Sequence, residues 1–167
     1  MAAPAAALVA MAAAVTACGG GGGGTAGQST TPKTSAPTGG TASSETIKTA
    51  TVGKLGQVLV DGEGRTVYLF EKDTGGKSSC SGACAGVWPP VTTGAKPKAG
   101  SGANASLLGT TSRSDGTTEV TYAGHPLYYY APDGTTSGSA KGEGLNQFGA
   151  AWYVVSSSGN KVQMGGY

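Results

Sequence analysis

Few side chains in this chain could do chemistry, and they fall into three sets: Cys80 with Cys84, the single histidine His125, and the aspartates Asp73 and Asp133. The three residues between the cysteines are small, so the chain can curl enough to bring both Cα atoms within disulfide range. We predict a structural Cys80–Cys84 disulfide. A redox-active dithiol or a soft copper site is the alternative, although the Cys-x-x-Cys spacing typical of thiol redox motifs is absent.

Catalysis of the Ser-His-Asp or Cys-His kind would have to use His125, which the sequence places in a two-residue turn, Gly124-His125, before Pro126. A G-x-S-x-G nucleophile elbow is also missing from the sequence. One histidine and two bridged cysteines are too few to hold zinc. We therefore predict no catalytic residue, no metal site and no cofactor, and a protein that is not an enzyme.

Asp73 and Asp133 each follow a tyrosine by five positions, Tyr68 and Tyr128 respectively. Facing one another, the carboxylates would permit acid–base chemistry of the glycosidase kind. The favoured interpretation is that each aspartate caps the turn after its strand, accepting N–H bonds from the Gly and Thr residues that follow. Each tyrosine hydroxyl then bonds either a buried backbone group or an aspartate, and the sequence does not separate the two.

These residues belong to an internal duplication. VLVDGEGRTVYLFEKD at residues 58–73 recurs in shorter form as VTYAGHPLYYYAPD at 120–133, and ACAGVWPPV around Trp88 corresponds to QFGAAWYVV around Trp152. Each copy contains an apolar strand, a Gly-containing turn and an aromatic strand, which is the pattern of a β-hairpin. We predict an all-β fold in which two hairpin-based repeats pack as a small sandwich or barrel-like domain, because neither could bury its apolar face alone.

The aromatic residues of the second hairpin fall on both faces of its strands, so one face packs inward. The other face is either covered or exposed for binding. We expect these aromatic residues mainly to fill a core; the alternative is that Trp88, Tyr129 and Trp152 face a ligand, such as a sugar of the cell wall.

Charge excludes one class of partner. Eleven basic residues are spread along a chain of net charge +2, so the basic patch needed for nucleic-acid binding is missing. We expect no nucleic-acid partner.

The N-terminal part is of a different kind. Residues 1–17 form an Ala-rich apolar run too short to span a bilayer, which is typical of a signal peptide. The following Val-Thr-Ala-Cys resembles the bacterial lipobox, and the resemblance implies that Cys18 is acylated and becomes the N-terminus. Residues 18–50 are then the lipidated cysteine and a disordered linker, since Gly, Ser, Thr and Pro offer little to bury.

The domain is predicted at residues 51–157, with repeats at about 55–93 and 117–157 and a C-terminal tail at 158–167. The two Tyr-x4-Asp motifs, CSGAC followed by WPP, GHPLYYYAPD and GLNQFGAAWYVV together resemble the bacterial lipoproteins with the "secreted repeat of unknown function". The resemblance implies an acylated, surface-tethered protein with two repeats on the extracytoplasmic face of the membrane. It implies no established activity.

The leading functional hypothesis is a non-enzymatic lipoprotein of the cell envelope that binds a cell-wall component, a small ligand or an envelope protein. The second hypothesis is an extracytoplasmic redox or metal-handling protein that uses Cys80 and Cys84.

Overall fold

A computed structural model describes residues 43–163 of the chain. The signal peptide, Cys18 and most of the linker, all predicted from the sequence, lie outside the described residues. Within residues 43–163 there are nine strands and one short α-helix, and no helix there is long and apolar enough to cross a membrane.

The strands form three small sheets of three strands each. Their bounds, with that of the helix, are β1 Thr46–Thr51, β2 Gln57–Asp61, β3 Tyr68–Phe70, α1 Ala83–Val87, β4 Lys98–Ala99, β5 Leu108–Ser112, β6 Thr118–Tyr122, β7 His125–Pro126, β8 Asn146–Gln147 and β9 Ala150–Val154. The strand orders are β2-β1-β4, β3-β9-β8 and β5-β6-β7, and all pairs are antiparallel except β1 with β4. The predicted all-β fold with two repeats is confirmed.

The first strand begins inside the segment predicted to be linker. That segment was expected to extend to residue 50, but β1 starts at Thr46 and pairs along its length with β2. The prediction fails there because TIKTAT is rich in β-branched residues and buries Ile47 completely, despite its polar appearance.

The second hairpin turns one residue earlier than predicted. Ala123 and Gly124 form the turn, both with positive φ (51° and 81°), as a two-residue hairpin loop requires. His125 is therefore a strand residue, paired with Tyr122, and not part of the turn.

The two repeats are built alike at the level of single hydrogen bonds. Leu59 N–H donates to Val155 O, and its counterpart Val120 N–H donates to Val91 O. In each repeat, the first strand of the hairpin therefore also bonds a segment that lies just beyond a tryptophan in the sequence. In the first repeat that segment comes from the end of the second repeat, so the chain returns to close the fold.

Four aromatic rings form a continuous stack at the centre of the domain, in the order Phe70, Trp152, Trp88, Tyr130. Neighbouring ring centroids lie 3.9, 3.9 and 4.4 Å apart. Because Phe70 and Tyr130 are equivalent, as are the two tryptophans, the stack is itself symmetric. It belongs to the larger apolar cluster, while a second cluster includes Ile47, Leu59, Val67 and Leu127.

Gly142 packs against this stack and offers a test of how tightly the core is filled. A Cβ at Gly142 would lie 2.7 Å from the Trp88 ring and 3.0 Å from Tyr68, whereas a Cβ at Gly86 in α1 would meet nothing within 4 Å. We expect Gly142→Ala to lower the free energy of unfolding by about 1–3 kcal/mol through overpacking. Gly86→Ala should be neutral or stabilising by up to about 1 kcal/mol. Urea unfolding of both variants measures this, and equal stabilities would contradict the packing described.

Candidate functional site

The two Tyr-x4-Asp motifs are joined to each other and not closed within themselves. The Tyr68 hydroxyl donates to Asp133 Oδ2 at 2.5 Å, and the Tyr128 hydroxyl donates to Asp73 Oδ2 at 2.6 Å. Between them, Tyr68 and Tyr128 exchange backbone hydrogen bonds in both directions, at 2.9 and 3.0 Å. The four motif residues are therefore brought together as two crossed pairs around one point of approximate twofold symmetry.

Each aspartate also holds the loop that follows it. Asp73 Oδ1 accepts from the backbone and the hydroxyl of Ser79, both at 2.7 Å. Asp133 Oδ1 accepts from the Ser139 hydroxyl at 2.7 Å and from the Lys141 N–H at 2.9 Å. The capping interpretation is correct in kind, but the donors lie six to eight positions on and not in the Gly and Thr residues directly after the aspartate.

Burial and the neighbouring carboxylate act together on both tyrosines. Removal from water raises the pKa of the Tyr68 hydroxyl, and its bond to Asp133 raises it further. Burial likewise raises the pKa of Tyr128, with the charges of Glu119 and Asp73 adding to the effect. Both hydroxyls therefore keep their protons as donors and are not poised for acid–base work near neutral pH.

The three aromatic residues named as ligand-facing do not form an exposed platform. Trp88 and Trp152 are fully buried in the ring stack, so that expectation is wrong for them: with each tryptophan sandwiched between two rings, no face is left for a ligand. Tyr129 is half-buried. The Arg65 guanidinium lies 4.1 Å from its ring centroid, and the Tyr129 hydroxyl donates to Asp61 at 3.0 Å.

Cys80 and Cys84 form the predicted disulfide, with Cα atoms 5.2 Å apart. Cys80 is 1% exposed and Cys84 7% exposed, and the bridge fixes the start of α1 just before Trp88. Cys18, the predicted lipidation site, lies outside the described residues.

A buried ion pair in the second repeat was not predicted from the sequence. Arg113 donates to Glu119 Oε2 at 2.8 Å and to the backbone oxygen of Cys80 at 2.7 Å. The strand register places Arg113 and Glu119 where the first repeat has Val52 and Val58, both buried in the core. Comparing the two copies position by position after aligning β1–β2 with β5–β6 would have exposed this exchange of an apolar pair for a charged one.

The Glu119 carboxyl is poorly compensated. It is fully buried, and among the described residues its Oε1 atom has no hydrogen-bond partner. Burial raises the pKa of Glu119 to about 7, against the opposing pull of Arg113. The pKa of Arg113 is also raised, since its bonds to Glu119 and Asp115 outweigh the effect of its own burial.

The ion pair is linked to Asp73 through a chain of polar contacts. Arg113 Nη1 lies 2.6 Å from Ser78 Oγ, which lies 2.8 Å from the Tyr128 hydroxyl, and that hydroxyl bonds Asp73. Asp133 lies at the other crossed pair, where the equivalent positions hold Val52 and Val58. The two motif sites are thus alike in backbone and different in charge.

Two open cavities are present on the described part of the chain. One, of about 320 Å³, contains Asp73 and has Leu69 and Phe70 as its apolar wall. Its remaining lining residues are polar: Glu71, His125, Asn160 and Lys161. The other, of about 360 Å³, lies between residues 93–97 and β5 and is lined by Thr110 among others.

Asp73 and Asp133 do not meet in either of these cavities, because Asp133 lines neither. In residues 43–163 there is no group of three or more His, Cys, Asp or Glu side chains arranged to hold a metal ion.

A protein-family model described as "Secreted repeat of unknown function" matches the chain twice, at residues 49–92 and 109–156. The two matches correspond to the two structural repeats and include half of β1 and most of β5, the strands that precede the duplicated hairpins. No curated protein and no solved structure matches the chain.

The crossed pairs predict unequal costs for removing the two hydroxyls. Asp133 is 7% exposed, so Tyr68→Phe leaves a buried carboxylate short of a donor and should cost about 1.5–3 kcal/mol. Tyr128→Phe should cost less, because water can reach the half-buried Asp73 and replace the lost bond. Urea unfolding at pH 7 compares the two, and a larger loss in Tyr128→Phe would refute this assignment.

The buried Glu119 predicts stability that falls as pH rises. Its pKa is about 7 in the folded chain and about 4.5 when unfolded, so the folded state binds the extra proton between these values. The contribution of Glu119 to the free energy of unfolding is therefore fully present below about pH 4.5. It falls by about 3 kcal/mol as the pH rises to about 7. The measurement is urea unfolding of wild type and Glu119→Gln from pH 4.5 to 8. The variant should lose this part of the slope, and parallel profiles would contradict the assignment.

Proposed function

The chain belongs to the family of secreted repeats of unknown function, and from that membership we propose an extracytoplasmic lipoprotein that binds a cell-envelope component without catalysing a reaction. The cavity beside Asp73 carries the proposal. There a motif residue lines an open pocket that has both polar and apolar walls.

The bonding of the motif residues supports a non-catalytic role. Both aspartates accept hydrogen bonds on both oxygens, and both tyrosine hydroxyls donate to them. Their donors hold the repeats and their loops in place, so the duplicated motif serves the architecture. The two hydroxyls are held as proton donors to these carboxylates, so neither is available as a general base.

Lipidation at Cys18 is the second part of the proposal. It rests on the Val-Thr-Ala-Cys sequence after an apolar run and on the Gly-, Ser- and Thr-rich composition between Cys18 and β1. A lipid on Cys18 would keep the chain at the membrane, so the domain would act in the cell envelope.

The redox or metal-handling alternative gains little from the observed geometry. The two sulfurs are bonded to each other and almost inaccessible, whereas a disulfide that exchanges with partners must be exposed to an attacking thiolate. We therefore favour a structural bridge and develop only the binding function.

Fractionation of bacteria that produce the full chain tests both parts together. Wild type is expected in the membrane fraction, with Cys18→Ser released to the medium because the serine cannot carry the thioether-linked lipid. Purified Cys18→Ser protein should then co-sediment with isolated cell wall, and adding His125→Ala and Asn160→Ala should abolish this. Thr110→Ala, in the other cavity, is the matched control.

Membrane retention of Cys18→Ser would contradict the anchor. Equal sedimentation of the Cys18→Ser protein with and without the cavity substitutions would contradict the binding site, and so would failure of the Cys18→Ser protein without those substitutions to sediment.

A further inference from the structure

The two motif aspartates have the same role in the fold but differ in access. Asp133 is 7% exposed, while Asp73 is half-buried and opens onto the 320 Å³ cavity. The residue equivalent to His125 in the other repeat is Arg65, which is held over the Tyr129 ring and bonded to Asp61. One of two equivalent sites is therefore closed by its own side chains and the other is open.

We infer that the open site binds a neutral, hydroxyl-bearing ligand, a saccharide of one or two rings. This inference rests on the proposed binding function and gives its ligand a chemical class. The cavity volume lies at the lower end of the roughly 300–1,000 Å³ of small-molecule sites, which suits a ligand of this size.

The charges of the cavity argue against an anion. Glu71 and Asp73 bring two negative charges and Lys161 one positive charge, and Lys161 is already paired with Glu71. A phosphate or carboxylate would meet a net negative wall with no free cation.

The hydrogen-bonding capacity of Asp73 argues against an ammonium ion. Its two oxygens offer about four acceptor positions. Three are taken, by the N–H and hydroxyl of Ser79 and by the hydroxyl of Tyr128. The position that is left accepts one hydroxyl proton but cannot serve the three donors of an ammonium group.

The other polar side chains suit hydroxyl groups. Asn160 presents both an amide donor and an amide acceptor, and His125 adds two ring nitrogens that can form hydrogen bonds. A sugar hydroxyl is donor and acceptor at once, so it can satisfy such groups where a group that only donates or only accepts cannot.

An exposed aromatic residue is bonded to the chain segment that carries Asp73. Among the described residues, Phe148 is the large apolar side chain that is exposed, at 40%. It lies at the tip of the β8–β9 hairpin. Its backbone oxygen accepts from Lys72 Nζ at 3.4 Å, and Lys72 stands between the cavity residues Glu71 and Asp73 in the chain.

The backbone of Phe148 is in a conformation that a bulky side chain disfavours. Its φ is 58°, in the first position of a two-residue turn where Asn is preferred. Such strain is concentrated at functional sites, and an aromatic ring on this hairpin would provide a surface for the apolar face of a sugar ring.

Titration of the ¹⁵N-labelled full chain with the β-1,4-linked dimer of N-acetylglucosamine tests the inference by NMR. We expect saturable shifts of the amides of His125, Asn160 and Phe148. His125→Ala and Asn160→Ala should each weaken binding about tenfold, as loss of one hydrogen bond of about 1.4 kcal/mol implies. Thr110→Ala should bind as wild type does.

Phe148→Asn separates binding from folding. Because Asn tolerates the positive φ, this variant should unfold at the same or a higher temperature while binding the saccharide about tenfold more weakly. Unchanged affinity in Phe148→Asn would overturn the role of the ring, and unchanged affinity in both His125→Ala and Asn160→Ala would overturn the site.

Inorganic phosphate and methylammonium are the comparison probes, and neither should shift the cavity amides. Saturable binding of either one in place of the saccharide would overturn the ligand class. If the cell wall binds the chain through this cavity but the saccharide does not, the ligand class fails while the proposed function stands. If neither binds, both fail.

Discussion

The reciprocal pairing of Tyr68 with Tyr128 is the interaction on which the rest of the domain depends. Two backbone hydrogen bonds join these residues, and each hydroxyl then reaches across to the aspartate of the other repeat. Neither Tyr-x4-Asp motif is satisfied without the other, so half of the chain would expose an unpaired carboxylate and one face of the aromatic stack. The repeats therefore form one interlocked core instead of two small domains in series.

On this symmetric frame the two sites have diverged. The Asp133 site is buried, and Val52 and Val58 occupy the positions equivalent to Arg113 and Glu119. The Asp73 site is open and is linked to the buried Arg113–Glu119 pair. A buried ion pair of this kind is weak as a source of stability, because desolvation offsets much of its attraction. The motif has the same structural role in both repeats. Of the two sites, the Asp73 site is the one that opens onto a cavity.

The sequence predicted the elements whose chemistry is local. The duplicated hairpins, the short Cys80–Cys84 bridge and the capping role of the aspartates each depend on residues close together in the chain. What could not be predicted depends on contacts between the repeats. One such contact is the bond from each tyrosine hydroxyl, of Tyr68 and of Tyr128, to the aspartate of the other repeat. Another is the stacking of the two buried tryptophans. Both require the relative placement of segments about sixty residues apart. The polar strand β1 was missed because its one buried residue, Ile47, is not enough to show periodicity.

Native-state hydrogen exchange at the Tyr68 and Tyr128 amides tests the interlock most directly. Each amide is bonded to the carbonyl of the other tyrosine, at 2.9 and 3.0 Å. If the repeats fold as one unit, both amides exchange only through global unfolding, with the same free energy as denaturant unfolding reports. Amides of one repeat that exchange with a markedly lower free energy than those of the other would show that the repeats open separately, and would contradict this account.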